Sequence, residues 1–267
     1  SNPNTDISFD SLTQMGGDLS VFGWGHCCNY QNYIQGAGVD TINFPSLQSI
    51  AGDISLQTLS DLDYLNFDTL SSVNEISIGF GSQPSNSQIL NISTFNNLQT
   101  VDNIMIQSTR IDTISGFQNL SSIQNLTIND NDELTVITGF ANVSSLNSLT
   151  VISNNQLQIC CVLYDLIQLT TGTVSVSGNG GACNDPQAIA NSCGITFCGL
   201  PGQLTIISNQ PDLDNIMGCT DFYGDLHIQD QQQGSVFTNI DLPNLKTIEG
   251  FLTISNPNTD ISFDSLT

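Results

Sequence analysis

The side chains in this sequence that could do chemistry are eight cysteines, two histidines and 25 acids, set against only two cations, Arg110 and Lys246. His26 and His227 each stand without a His-x-x-x-His or Cys-x-x-Cys partner, so the spacing a zinc site needs is missing. With only two cations, phosphate or oxyanion handling is not expected. Neither a Gly-x-Ser-x-Gly elbow nor a phosphate loop occurs, and GNGGAC, ending at Cys183, reads as a turn. The expectation is a protein that is not an enzyme and has no cofactor. Calcium is the one ion with a candidate site. Asn129-Asp130-Asn131-Asp132-Glu133 offers several oxygens in one turn, with Asp130, Asp132 and Glu133 as ligands, and Asp61 and Asp63 lie in another. No twelve-residue calcium loop is present, so a solvated acidic turn competes with that reading.

The cysteines fit a structural role. Eight of them with almost no Lys or Arg point to an oxidising, extracellular setting. Four Asn-x-Ser/Thr triplets, at Asn91, Asn119, Asn125 and Asn142, are acceptors for N-linked glycans if the source is a eukaryote. Charged residues make up only 10% of the chain and the net charge is −23, so solubility rests on Asn, Gln, Ser, Thr and Asp. That balance excludes nucleic acid, which requires cations at the phosphates, and disfavours anionic membrane surfaces. No apolar run approaches the ~20 residues of a membrane span. Cations, sugars and further copies of the chain remain as partners.

Two periods organise the elements that would carry these residues. Residues 1–13, SNPNTDISFDSLT, recur as residues 255–267, an offset of 254. We read this as a tandem repeat seen through a window slightly longer than one period, the chain being one unit of a longer polypeptide; an overlap introduced by design is the second reading. Inside the long period, an apolar-x-apolar fragment recurs at Leu19, Ile54, Ile76, Ile104, Leu126, Leu149, Val174, Leu204, Leu226 and Leu252. With the step to the next Leu19, ten steps of 21 to 35 residues close on 254. Such spacing predicts about ten rungs of a right-handed parallel β-solenoid, each giving one short strand. Alternation would turn both apolar residues inward and leave Ser20, Ser55, Ser77, Met105, Thr127, Thr150, Ser175, Thr205, His227 and Thr253 outward, a row of hydroxyls on a solvated or binding face. A second apolar pair three residues apart (Leu47 and Ile50, Leu120 and Ile123, Leu245 and Ile248) precedes each strand. Gly17, Gly52, Gly172, Gly202, Gly224 and Gly250 are expected to turn the corner with positive φ.

Two segments break the pattern. CCVLYDLIQLT from Cys160 has helical apolar spacing, and DPQAIANSC from Asp185 has an Asp N-cap with Pro at the first helical position. With Cys160, Cys161, Cys183 and Cys193 they predict a short, disulfide-stapled helical cap. The 35-residue step after Leu19 holds Trp24, His26, Cys27, Cys28, Tyr30 and Tyr33, either a structural Ω-type loop or a contact surface for a neighbouring unit.

With these residues in view, the sequence resembles the receptor L domain, the leucine-rich solenoid of insulin and epidermal-growth-factor receptor ectodomains. Read cyclically, CGLPGQLTI from Cys198, then GCTDFYGDLHI, then LPNLKTIEGFLTISN is similar to the family's opening rungs, and the resemblance implies a Cys198 to Cys219 bond. NNQLQICCVLYDLIQL is similar to the family's cap and implies that Cys160 and Cys161 pair with Cys183 and Cys193, in either order. The Cys27-Cys28 insertion and ten rungs depart from the receptor pattern, so no receptor ligand site is carried over; Cys27 and Cys28 would form a vicinal or an inter-unit bond. In this frame residues 1–197 close one repeat and residues 198–267 open the next. The four residues 194–197 are too few for a flexible tether. We therefore expect head-to-tail docking into an extracellular or cell-surface filament. The alternative is a glycan- or ligand-binding module of a giant tandem-repeat adhesin or receptor-like ectodomain.

Overall fold

A computed structural model of the chain describes residues 5–22, 38–57, 59, 62–79, 91–229, 237–255 and 260–267. It is mainly β, in two compact units, Ser1–Ile189 and Ala190–Thr267. The centre of the first unit is a seven-stranded sheet of β1 (Leu19–Phe22), β2 (Ile54–Gln57), β3 (Glu75–Gly79), β4 (Thr100–Gln107), β5 (Ser122–Asn129), β6 (Ser145–Ile152) and β7 (Val174–Ser177), laid side by side in sequence order. The second unit holds β8 (Gly199–Ile207), β9 (Asp221–Gln229) and β10 (Leu252–Ser255), with β9 in the middle. Among the described residues every strand pairing is parallel.

The apolar-x-apolar fragments pair in register. Leu19, Ile54, Ile76, Ile104, Leu126, Leu149 and Val174 form one row across the first sheet, and Val21, Leu56, Ile78, Ile106, Ile128, Val151 and Val176 form the next. From Ile54 to Leu149 these side chains are buried. Intervening Ser20, Ser55, Ser77, Met105, Thr127, Thr150 and Ser175 are exposed or half-buried, as alternation requires. The second unit corrects one rung. In β8, Thr205 lies opposite Leu226 and Ile207 opposite Ile228, so Ile207 is buried while Leu204 and Ile206 are exposed. Gly199 and Gly202, both at positive φ, lie in an irregularity across which the pairing offset falls from 24 residues (Gly199 to Tyr223) to 21 (Leu204 to Asp225), and a shift by an odd number of residues exchanges the two faces.

A column of rings runs parallel to this sheet. Phe9, Phe44, Phe67, Phe95, Phe117 and Phe140 stack in succession with centroids 4.9 to 5.5 Å apart and planes within 15°. Each opens a Phe-x-x-apolar turn closed by a backbone bond to the Phe carbonyl, such as Leu47 N–H to Phe44 C=O and Leu120 N–H to Phe117 C=O. Three of these rings are held at φ of 62° to 69°, a conformation costing on the order of 1–2 kcal/mol for a bulky residue. Ring burial outweighs that cost, because a buried Phe is worth about 3–5 kcal/mol against Ala. The expected use of glycine is corrected here. Gly202 and Gly224 do take positive φ, but Gly17, with open space around it, does not, and neither do Gly52, Gly172 and Gly250. The last three are needed because a Cβ would meet the adjoining pass: 2.0 Å from Asp18 Oδ1, 2.5 Å from the Asn147 carbonyl and 2.2 Å from Asp225 Oδ1 respectively.

At the other end of each strand the chain turns through Ser108, Asp130, Ser153 and Gly178, all at positive φ. The next residue points inward and is polar: Thr109, Asn131, Asn154, Asn179, all buried. Their side chains form a ladder. Thr109 N–H donates to Asn131 Oδ1 at 3.0 Å, Asn131 N–H to Asn154 Oδ1 at 3.2 Å and Asn154 N–H to Asn179 Oδ1 at 3.1 Å. The amides donate backwards, Asn131 Nδ2 to Ile106 C=O, Asn154 Nδ2 to Ile128 C=O and Asn179 Nδ2 to Val151 C=O. Beyond β6, α1 (Val162–Leu169) buries Leu163, Leu166 and Ile167. In α2 (Pro186–Ser192) the Ala188 N–H donates to Asp185 Oδ1 at 2.8 Å, the expected N-cap bond. The ladder gives a test. Asn154→Ala, which removes the five hydrogen bonds its side chain makes to Asn131, Ile128, Ile152 and Asn179, should cost roughly 2–4 kcal/mol in chemical denaturation, against about 0.5 kcal/mol or less for exposed Asn155→Ala.

Candidate functional site

The cysteines are the best-defined chemical positions. Cys160 is bonded to Cys183 and Cys198 to Cys219, and Cys161 and Cys193 are also in disulfide linkage. Cys160 ends the pass beneath α1, and Cys183 closes the short 3₁₀ turn Gly181–Cys183 that follows Asn179. The bond thus ties the last rung of the Asn ladder to the helix; Gly180 is required beside it because a Cβ would lie 2.1 Å from Leu157 C=O. Cys198 and Cys219 precede β8 and β9, and Cys219 is buried with Leu213, Ile216 and Phe222. Between them lies α3 (Gln210–Asn215), which the strand pattern did not predict. Its start was legible in Asn-Gln-Pro-Asp, since Asn209 Oδ1 accepts from Asp212 N–H at 2.9 Å. Cys27 and Cys28, with Trp24, His26, Tyr30 and Tyr33, lie outside the described residues.

All four sequon asparagines are exposed on the first unit, as glycan acceptors must be. Three of them also serve the stack through Nδ2. Asn119 donates to Asn96 C=O at 2.7 Å, Asn142 to Gln118 C=O at 2.6 Å and Asn125 to Asn103 Oδ1 at 2.6 Å. Asn119 and Asn142 occupy the same place in their Phe-x-x-apolar turns, which is why two triplets recur one rung apart. Asn91 differs, accepting a bond from Ser115 Oγ at 2.9 Å through Oδ1.

In the acidic turn the carboxylates diverge. Asp130 holds the exposed corner at φ 53°, Glu133 pairs with Arg110 at 2.7 Å and Asp132 accepts from Asn155 Nδ2 at 3.3 Å. Asn131, between them, is turned into the core. Among the described residues no three of His, Cys, Asp and Glu are grouped as a metal site requires. Asp63 is exposed, and Asp61 lies outside the described residues. His227 sits on the outward row of β9 with Nε2 2.9 Å from Ser255 Oγ, a rung-to-rung contact. No described helix is long and apolar enough to cross a membrane.

One acid has a defined electrostatic setting. Asp221 accepts from Thr247 Oγ1 at 2.6 Å and from Thr220 Oγ1 at 2.9 Å, with the Lys246 cation near, and these hold its carboxyl below the ordinary 3.8. Comparison with protein-family models, curated proteins and solved structures gives no match.

Two outcomes follow from these positions. Replacing Cys160 and Cys183 together by Ser should lower stability by about 2–4 kcal/mol in denaturant melts, because the bond closes a loop across 23 residues. A carboxyl with a lowered folded pKa stabilises above its unfolded value and loses that contribution as pH falls through the folded one. The melting temperature should therefore drop in acid below 3.8, and Asp221→Asn should flatten that part of the pH profile.

Proposed function

We propose that the chain is a structural repeat of a long extracellular filament or cell-surface fibre. On this reading it is a right-handed parallel β-solenoid of the receptor L-domain kind, ten rungs to a period, closed by the helical, disulfide-bonded segment and joined to its neighbours in tandem. The carrying observation is that residues 1–13 and 255–267 are identical in sequence and that their described parts, 6–13 and 260–267, fold alike. Both form a short parallel strand, both close the turn with the same bond (Leu12 N–H to Phe9 C=O, Leu266 N–H to Phe263 C=O), and in both a serine hydroxyl donates to the aspartate two residues on (Ser8 to Asp10, Ser262 to Asp264).

Supporting this reading are the in-register parallel strands, the ring column and the disulfides, which suit an oxidising exterior. Exposed sequons fit a glycoprotein surface. Partners are neighbouring copies of the repeat. A second reading, a glycan- or protein-binding module of an adhesin, is favoured by apolar side chains left in water in the second unit: Leu204 at 57%, Ile206 at 49% and Phe251 at 79% exposure.

Electron microscopy of the native material separates the two. Ten rungs at about 4.8 Å predict stiff filaments with an axial repeat of about 45–50 Å. Isolated or flexibly beaded modules would contradict the filament and favour the binding reading.

A further inference from the structure

The described parts of the two thirteen-residue copies, 6–13 and 260–267, fold alike but bond in opposite directions. The first copy faces the rung that follows it. Thr5–Ser8 pairs with Val39–Asn43, Phe9 N–H donates to Asn43 C=O at 3.1 Å, and Thr13 C=O accepts from Gln48 N–H at 2.8 Å. The second copy faces the rung that precedes it. Ile261–Ser262 pairs with Ile240–Asp241, Asp260 C=O accepts from Ile240 N–H at 3.0 Å, Ser262 C=O accepts from Leu242 N–H at 3.2 Å, and Thr267 N–H donates to Lys246 C=O at 3.1 Å. Laid over one another, these bonds use different groups of the same segment: two carbonyls and the last amide on one side, the Phe amide and the last carbonyl on the other. Among these bonds no group is used twice.

The ring follows the same division. Phe9 stacks on Phe44 at 5.5 Å yet stays 53% exposed, while Phe263 packs against the core that contains Leu242 and Leu245. Each copy covers the face that the other leaves open.

We infer that the segment is a single rung with both edges filled, and that the edges of β10 and β1, which pair with no further strand among the described residues, are a docking surface for the next copy of this chain. Rung completion sets the register. With the 21-residue step, Leu252 lies opposite Leu19, Thr253 opposite Ser20 and Ile254 opposite Val21, continuing the inward and outward rows of both sheets. Ten strands then run without interruption from β8 of one copy to β7 of the next, and neither open edge remains to pair at random. The inference rests on the tandem reading and places the continuity of a period inside the repeated segment.

The test uses the chain extended by one further period, compared with the 267-residue chain. Amides of the internal thirteen-residue segment should exchange with deuterium at least about tenfold more slowly than either terminal copy in the shorter chain. With Thr253→Cys in the first period and Ser20→Cys in the second, both on the outward face, the short thiol crosslinker dibromobimane should join the two periods. Ser175→Cys in place of Ser20→Cys should give no such product. Internal exchange as fast as at the ends, or failure of the Thr253→Cys and Ser20→Cys pair to join, would overturn the inference. Mass mapping of native protein that found no second copy would instead remove the tandem reading and leave the two-period result standing.

Discussion

The structure depends on how a parallel stack disposes of its backbone where each strand ends. There the chain must turn inward through a positive-φ corner, and the amide and carbonyl groups of successive passes lose their sheet partners inside an apolar core. An unpartnered buried group costs about 1–3 kcal/mol, so one per rung would cancel much of the gain from burying leucines. The Asn131, Asn154 and Asn179 side chains remove that penalty, each accepting from the pass before and donating to a carbonyl beneath. A carboxamide carries both functions at a fixed separation. It therefore satisfies the corners and fixes the distance between passes at once. Asp would bring a charge into the core, and Leu would leave both groups bare.

That distance propagates outward. Strand spacing in a parallel sheet is about 4.8 Å, and the ring centroids follow it closely at 4.9 to 5.5 Å. Rings, ladder and sheet obey one repeat, which is why glycines appear where the adjoining pass leaves no room for a Cβ. The exterior obeys it too. Asn119 and Asn142 tie turn to turn, and Arg110 meets Glu133 across 23 residues. With both pair members about 43% exposed, that ion pair adds at most about 1 kcal/mol. Order in this molecule comes from neutral hydrogen bonds and packing, which suits a chain carrying 25 acids and two cations.

Much of the sheet was legible in the sequence because parallel pairing copies the period directly. The apolar-x-apolar steps name the partners of β1 to β7 residue by residue. What escaped was chemistry of the same period hidden in ordinary residues. Phe-x-x-Leu recurs at Phe9, Phe44, Phe67, Phe95 and Phe117, yet one Phe per rung looks like ordinary core composition until the rings are seen in a column. The ladder asparagines sit in Asn- and Asp-rich turns such as Asn129-Asp130-Asn131-Asp132-Glu133, where an inward Asn131 and an outward Asp132 have no distinguishing neighbour. The odd-numbered register shift in β8 falls where two glycines take positive φ, and a sequence shows that glycine is present without showing its φ. Cystine partners, in the cap as at Cys198 and Cys219, were suggested only by the receptor L-domain resemblance, which left the order within the cap open, since spacing alone leaves several pairings open.

The central claim is that rungs stack along the long axis of a fibre at the strand spacing, copy after copy. X-ray diffraction from aligned native material tests it most directly. The account predicts a meridional reflection near 4.8 Å, with long-period layer lines of about 45–50 Å. A 4.8 Å reflection on the equator, or alignment that yields no such spacing, would contradict it.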